Sequence, residues 1–213
     1  MTPAALRRSC ERSLARLRTD YVDLYLLHWD VGLDEARRVL DVLEDLVTEG
    51  KIRAYGWSTD SIEGARVFAE GPRCCAIELR LNLVAGDRGL LELCERQGLA
   101  AICRSPLAMG MLAGTIDERS RFPADDIRSS WDLANGARAG ELARARRALA
   151  VLREDGRTPA QGALAWLLAT SPATIPIPGF RTAAQVRENV AAAERPLPAA
   201  RLADLTRALA APS

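Results

Sequence analysis

The stretch YVDLYLLHWD, residues 21–30, is a short apolar run that ends on His28, the one histidine among 213 residues. An imidazole at that place can move protons near neutral pH or hold a carbonyl oxygen. The ordinary alternative is a satisfied histidine in the core. Other chemistry-bearing residues stand at comparable places. Ser58 closes IRAYGWS, Glu78 follows CCAI, Arg104-Ser105 follows AAIC, and Gly179 follows TIPIP. Each lies at or just past the C-terminal end of an apolar run, the edge at which parallel α/β folds bind ligands. Counting in twos, Val22, Leu24, Leu26 and His28 share one strand face, so His28 can point into the mouth of a pocket.

The elements that must position these groups alternate along the chain. Residues 3–17 put Leu6, Cys10, Leu14 and Leu17 at helical spacing behind Thr2 and Pro3. Strands are expected at 22–28, 52–58, 75–81, 99–103 and 174–177. Between them lie helices at 34–49, 61–69 and 89–97, then a long loop at 105–135 and helices near 139–154 and 159–169. Two more helices follow, at 182–193 and 198–210. Apolar strands separated by single helices predict a parallel sheet covered by helices, in one domain spanning 1–213. The loop at 105–135 is longer than structureless loops usually run, which points to a functional role.

Composition narrows the classes. A net charge of +1 gives no footprint for nucleic acid or an acidic membrane, and no apolar stretch approaches bilayer length. Five cysteines, odd in number and without a CxxC pair, predict reduced thiols in a cytoplasm rather than disulfides or a zinc site. The N-terminus lacks the apolar core of a secretory signal.

Five stretches, in order, resemble the aldo-keto reductases, NAD(P)H-dependent enzymes on a (β/α)8 barrel. They are SLARLRTDYVDLYLLHW, LEDLVTEGKIRAYGWST, RSPLAMGMLAG, TPAQGALAWLLA and TIPIPGFRTAAQVREN. The resemblance runs from near residue 3 to near residue 195. It implies reduction of aldehydes or ketones by hydride from a nicotinamide and a proton from an acid. His28 matches the histidine that orients the carbonyl. Ser58 matches a hydroxyl that holds the nicotinamide carboxamide. Thr59 stands where many members carry asparagine, Glu78 where many carry glutamine, and Arg104 where an aromatic ring often stacks on the nicotinamide. Ser105, Leu107 and Gly110 belong to the loop expected to wrap the pyrophosphate. Gly179 and Arg181 open a helix whose N-terminus attracts phosphate; Arg181 could pair an adenosine 2′-phosphate and so favour NADP(H). Gln185, Glu188 and Asn189 match residues that hold ribose and adenine.

The resemblance begins at the family's fourth strand. The family's tyrosine acid, with its lysine and aspartate, belongs to the first three strands and has no counterpart here. Tyr21, Tyr25 and Tyr55 are the only tyrosines, and Lys51 is the only lysine. The expected architecture is therefore an incomplete (β/α)8 barrel of about five parallel strands with two open edges. A second copy of the chain, or a complementing N-terminal fragment, would cover them. Asp23 is expected to be an ion-pair partner rather than an acid. Trp29, Trp57 and Trp166 are expected to pack or to wall a pocket. The alternative to a reductase is a non-reducing member that keeps a nucleotide or small-molecule pocket, or a fragment that serves only interaction.

Overall fold

The computed structural model describes residues 2–153 and 156–210. The helices are α1 (Pro3–Leu17), α2 (Leu33–Thr48), α3 (Ile62–Ala69), α4 (Arg88–Gln97), α5 (Ala139–Leu152), α6 (Pro159–Thr170), α7 (Ala183–Glu194) and α8 (Ala199–Ala210). The strands are β1 (Val22–Leu27), β2 (Ile52–Ser58), β3 (Cys74–Asn82), β4 (Ala85–Gly86), β5 (Ala100–Arg104) and β6 (Thr174–Pro176). The chain divides into two compact units, Met1–Arg80 with Asp87–Ile102, and Leu81–Gly86 with Cys103–Ser213.

In the first unit, β1, β2 and β3 run parallel in that order, followed by the first residues of β5. The register pairs Leu27 with Trp57, Trp57 with Ile77, and Ser58 with Glu78. One step past Leu27, His28 therefore reaches the same row as Ser58 and Glu78. Helices α1, α2 and α3 each bury one apolar stripe, and α1 and α3 also start on a capping hydroxyl. The Thr2 hydroxyl accepts from Ala5 N and the Ser61 hydroxyl from Gly64 N. Leu6, Cys10 and Leu14 of α1, and Val39, Leu43 and Leu46 of α2, are buried, as are Ile52, Tyr55 and Trp57 of β2. Gly56 is forced by close approach. A Cβ there would lie 2.2 Å from the Ala76 carbonyl oxygen and 2.9 Å from a Leu26 methyl.

In the second unit, the end of β5 adjoins β6, with Ile177 N donating to Cys103 O at 3.1 Å. The tail of β3 turns back through β4 in a two-residue antiparallel ladder that the periodicity does not reveal. Residues 105–135 are not a bare loop. They begin with a 3₁₀ turn, Ala108–Ala113, whose Met111 and Leu112 are buried, and both α5 and α6 pack against it. α6 and α7 each open on a full capping box, Thr158 with Gln161 and Thr182 with Gln185.

Candidate functional site

At the C-terminal edge of the first unit, the register assembles a short polar row. Glu78 is 8% exposed, and its Oε1 accepts from the Ser58 hydroxyl at 2.9 Å. His28 Nδ1 lies 3.9 Å from the same oxygen, close enough for attraction when the imidazole is protonated and too far for a hydrogen bond. The His28 side chain is 77% exposed, so the satisfied-core alternative does not hold for it. Thr59 is buried, donates its N–H to Glu78 O at 2.9 Å and accepts at Oγ1 from Ser61 N at 3.0 Å. Beside His28, Trp29 exposes its ring, while its carbonyl is pinned by Nε1 of the buried Trp57.

None of the three tyrosines joins this row. Tyr55 is fully buried, its hydroxyl donates to Glu44, and burial followed by that carboxylate drives its pKa far above the ordinary phenol value. Tyr25 falls on the strand face opposite His28. Tyr21 precedes β1 and lies under Arg53, 4.3 Å from its ring centre. Lys51 binds Glu11 and Glu49 at the other end of β2, and Asp23 accepts from Arg53 at 2.6 Å as an ion-pair partner. Trp166, like Trp57, is buried in packing, whereas Trp29 is not.

The second unit holds a cleft of about 870 Å³, within the size range of small-molecule and cofactor sites. Ser105, Leu107, Gly110, Gly179, Arg181 and Gln185 all line it. Arg104 ends β5 next to it in sequence, and Glu188 and Asn189 lie further along α7, outside the lining. The floor is made of constrained backbone. Ser105, Ala108 and Met109 have φ of 50, 48 and 53° although none is glycine, and Gly110 has φ of 105°. Such left-handed backbone persists where surroundings hold it. Asn82, 3% exposed, is the holder: its Nδ2 donates to Ser105 O at 3.0 Å, while its Oδ1 accepts from Val84 N and Ala85 N.

One wall of the cleft comes from the segment that the sequence marks only as long. Asp125, Asp126, Ile127 and Arg128 line it. Arg128 grips Asp126 through Nε and Nη2 at 2.9 and 2.7 Å, donates Nη1 to Met109 O at 3.1 Å, and sits 4.1 Å over the Phe122 ring. The Arg128 side chain, then its backbone N–H, hold the Asp126 carboxyl far below the usual carboxylate range. Nothing in the local sequence marks Arg128 or Asn82 as residues of this wall and floor, because the groups they hold, Met109 O and Ser105 O, lie 19 and 23 residues away. On the opposite side, Gln185 turns its Oε1 to Arg181 N at 2.7 Å and Thr182 N at 3.2 Å. Its carbonyl oxygen is thus committed to the helix start, leaving the amide N–H groups for a ligand.

The donor set and the space fit a phosphate-bearing molecule. Arg181 stands at the mouth of α7, and a Cβ on Gly179 would meet nothing within 4 Å, leaving the backbone approachable. Among the described residues, no His/Cys/Asp/Glu group could hold a metal ion, and no helix is long and apolar enough to cross a membrane. Among the described residues no disulfide joins the cysteines, and burial pushes the Cys74 and Cys94 thiols up to about 12 and about 11.

Comparison with known proteins gives the family. The model of the aldo/keto reductase family matches residues 1–210. Methylglyoxal reductase YeaE of Escherichia coli is 32% identical over 211 residues, covering 96% of this chain and 64% of the relative. The NADP(+) aldo-keto reductase yakc of Schizosaccharomyces pombe is 28% identical over 198 residues, covering 89% of this chain and 58% of the relative. Among solved structures, a glycerol dehydrogenase from Gluconobacter oxydans covers 98% of this chain and 64% of its own, with TM-score 0.85 and 27% identity. An aldo/keto reductase from Klebsiella pneumoniae, crystallised with NADP and acetate, matches 98% of this chain and 66% of its own at TM-score 0.71 and 32% identity. The chain thus spans about three fifths of the length of the curated relatives it matches. Among the described residues, its parallel strands and surrounding helices are those of the aldo-keto reductase fold, with five parallel strands and the short antiparallel β4. The chain belongs to the aldo/keto reductase family.

Proposed function

We propose that these 213 residues are the cofactor-holding part of a carbonyl reductase that uses NADP(H), one truncated barrel domain working in the cytoplasm on a small aldehyde or ketone. The observation that carries the reading is the second-unit cleft, with its left-handed Ser105–Gly110 floor and Arg181 at a helix start. There Ser105, Leu107, Gly110 and Gly179 would hold the pyrophosphate, and Arg181 the 2′-phosphate. Gln185, Glu188 and Asn189 would hold the adenosine. In the first unit, Ser58, Thr59 and Glu78 would meet the nicotinamide carboxamide, with His28 orienting the carbonyl. Arg104, a residue of the second unit, keeps the ring-stacking role that the family resemblance implies.

When bound, the cofactor supplies the hydride. The residues of this chain position the substrate and hold the cofactor. A separate proton donor is required, because all three tyrosines sit away from His28. The reading therefore assigns the acid to βα units outside these residues. Those units, or a second copy of the chain, would also cover the edges at β1 and β6, where Ile175 and Ile177 are exposed.

Fluorescence titration with NADPH on the purified 213-residue chain tests this. Saturable binding is expected, weakened about tenfold by Arg181→Ala for NADPH and less for NADH, consistent with loss of a charge-assisted phosphate contact. NADPH oxidation with methylglyoxal should stay at background. Absence of saturable binding would overturn the cofactor reading, and steady turnover by the chain alone would overturn the assignment of the acid.

A further inference from the structure

We infer that Glu78 makes the strand-end row of the first unit selective for a cationic, oxidised nicotinamide ring over the neutral, reduced one. This rests on the cofactor reading above and adds to it a preference for one redox state.

The inference follows from counting donors in the row. The Ser58 hydroxyl hydrogen goes to Glu78 Oε1 at 2.9 Å. A carboxylate has no hydrogen of its own to give. The Thr59 hydroxyl oxygen accepts from Ser61 N and keeps its own hydrogen, but Thr59 is buried and adds no charge to the row. Toward a ligand, Ser58 and Glu78 therefore offer lone pairs and a negative charge, held in a largely dry place, since Glu78 is 8% exposed. A glutamine at this position would offer an amide N–H and an acceptor with no charge. The nicotinamide carboxamide carries two N–H donors that a carboxylate can accept. Its ring is cationic when oxidised and neutral when reduced. The carboxylate thus attracts one form and is nearly indifferent to the other, and its attraction is stronger in this buried setting than in water.

The consequence concerns direction. Reduction of a carbonyl transfers hydride from the reduced ring and leaves the oxidised, cationic ring on the protein. A site that prefers the cation stabilises that product side and makes the oxidised cofactor a strong competitor of the reduced one. The nearest basic group to Glu78 in the row is the His28 imidazole, exposed and 3.9 Å away, so the carboxylate is not sealed into a buried ion pair. The guanidinium of Arg104, proposed to stack on the ring, opposes the attraction but is the same in the chain and in its Glu78→Gln variant, so that substitution isolates the carboxylate's share.

Calorimetric titration of the chain with NADP+ and with NADPH reads this without turnover. The expected result is that Glu78→Gln weakens NADP+ about tenfold more than it weakens NADPH. Ser58→Ala, which keeps the charge, should leave the preference in place. If both forms bind and Glu78→Gln leaves their ratio unchanged, the inference is overturned while the cofactor reading stands. If neither form binds the unmutated chain, the cofactor reading falls and takes the inference with it. Should Glu78→Gln fail to fold, the unmutated chain decides the matter with two small probes. Tighter binding of 1-methylnicotinamide than of nicotinamide supports the inference, and equal binding overturns it.

Discussion

Asn82 shows how one side chain can decide whether a site exists. Its amide spans the β3–β4 turn and the Ser105 carbonyl, so the left-handed start of the cradle depends on a residue that the candidate chemistry does not include. Asn82→Ala leaves buried backbone groups without partners and should cost about 1–3 kcal/mol, read by denaturant unfolding, with weaker NADPH binding. Asn82→Ala with both stability and binding unchanged would contradict that role. Asp126 is a residue-scale pH sensor for the cleft wall. Its pKa is depressed in the folded chain by Arg128, so its contribution is complete above the unfolded carboxylate value of about 4. That contribution is lost only as pH falls through the lower folded value. Proteolysis of the 117–136 segment should therefore be slow and constant from pH 8 to 5. Arg128→Ala should accelerate it throughout that range. His28 and Ser58 were legible in the sequence because each stands at or just past the end of its strand, whereas Glu78 lies inside β3 and joins them through the register. Asn82 and Arg128 were not legible, because their partners lie 23 and 19 residues away and no local period marks them.

At the scale of elements, the helix and strand boundaries were nearly all legible, since caps and periodicity are local. Thr2-Pro3, Ser61 and Thr158-Pro159 each start a helix where the expected spacing puts it. The short β4 and the 3₁₀ turn at 108–113 were not legible: one is two residues long, and the other is built from residues held by packing rather than by propensity. The register of β2 against β3 is the element-level fact on which the first-unit row depends, because a slip of one residue would turn Ser58 away from Glu78. Gly56 lets those strands approach. Gly56→Ala, facing a carbonyl oxygen at 2.2 Å, should destabilise by about 3 kcal/mol or more, measured as a fall in the urea midpoint. A change below about 0.5 kcal/mol, the size of an ordinary surface substitution, would show that the register does not need the glycine.

At the scale of the whole molecule, the family and the class of fold were legible from five ordered stretches, and the match over residues 1–210 bears them out. The chemistry was legible only in part. A chain that spans about three fifths of the length of its relatives carries the groups proposed to hold and orient, while its tyrosines are taken up by a buried carboxylate contact, a strand face and a cation contact. Apolar side chains at β6 and on α7, such as Ile175 and Val190, each about half exposed, are where a covering surface would act. On the proposed reading, these residues alone hold a dinucleotide by its phosphates. Hydrogen–deuterium exchange of the 213-residue chain, with and without saturating NADPH, asks that directly. The account expects slowed exchange in the 105–113 and 179–185 backbones, and less of it in Arg181→Ala. Unchanged exchange in both segments at a saturating cofactor concentration would contradict it.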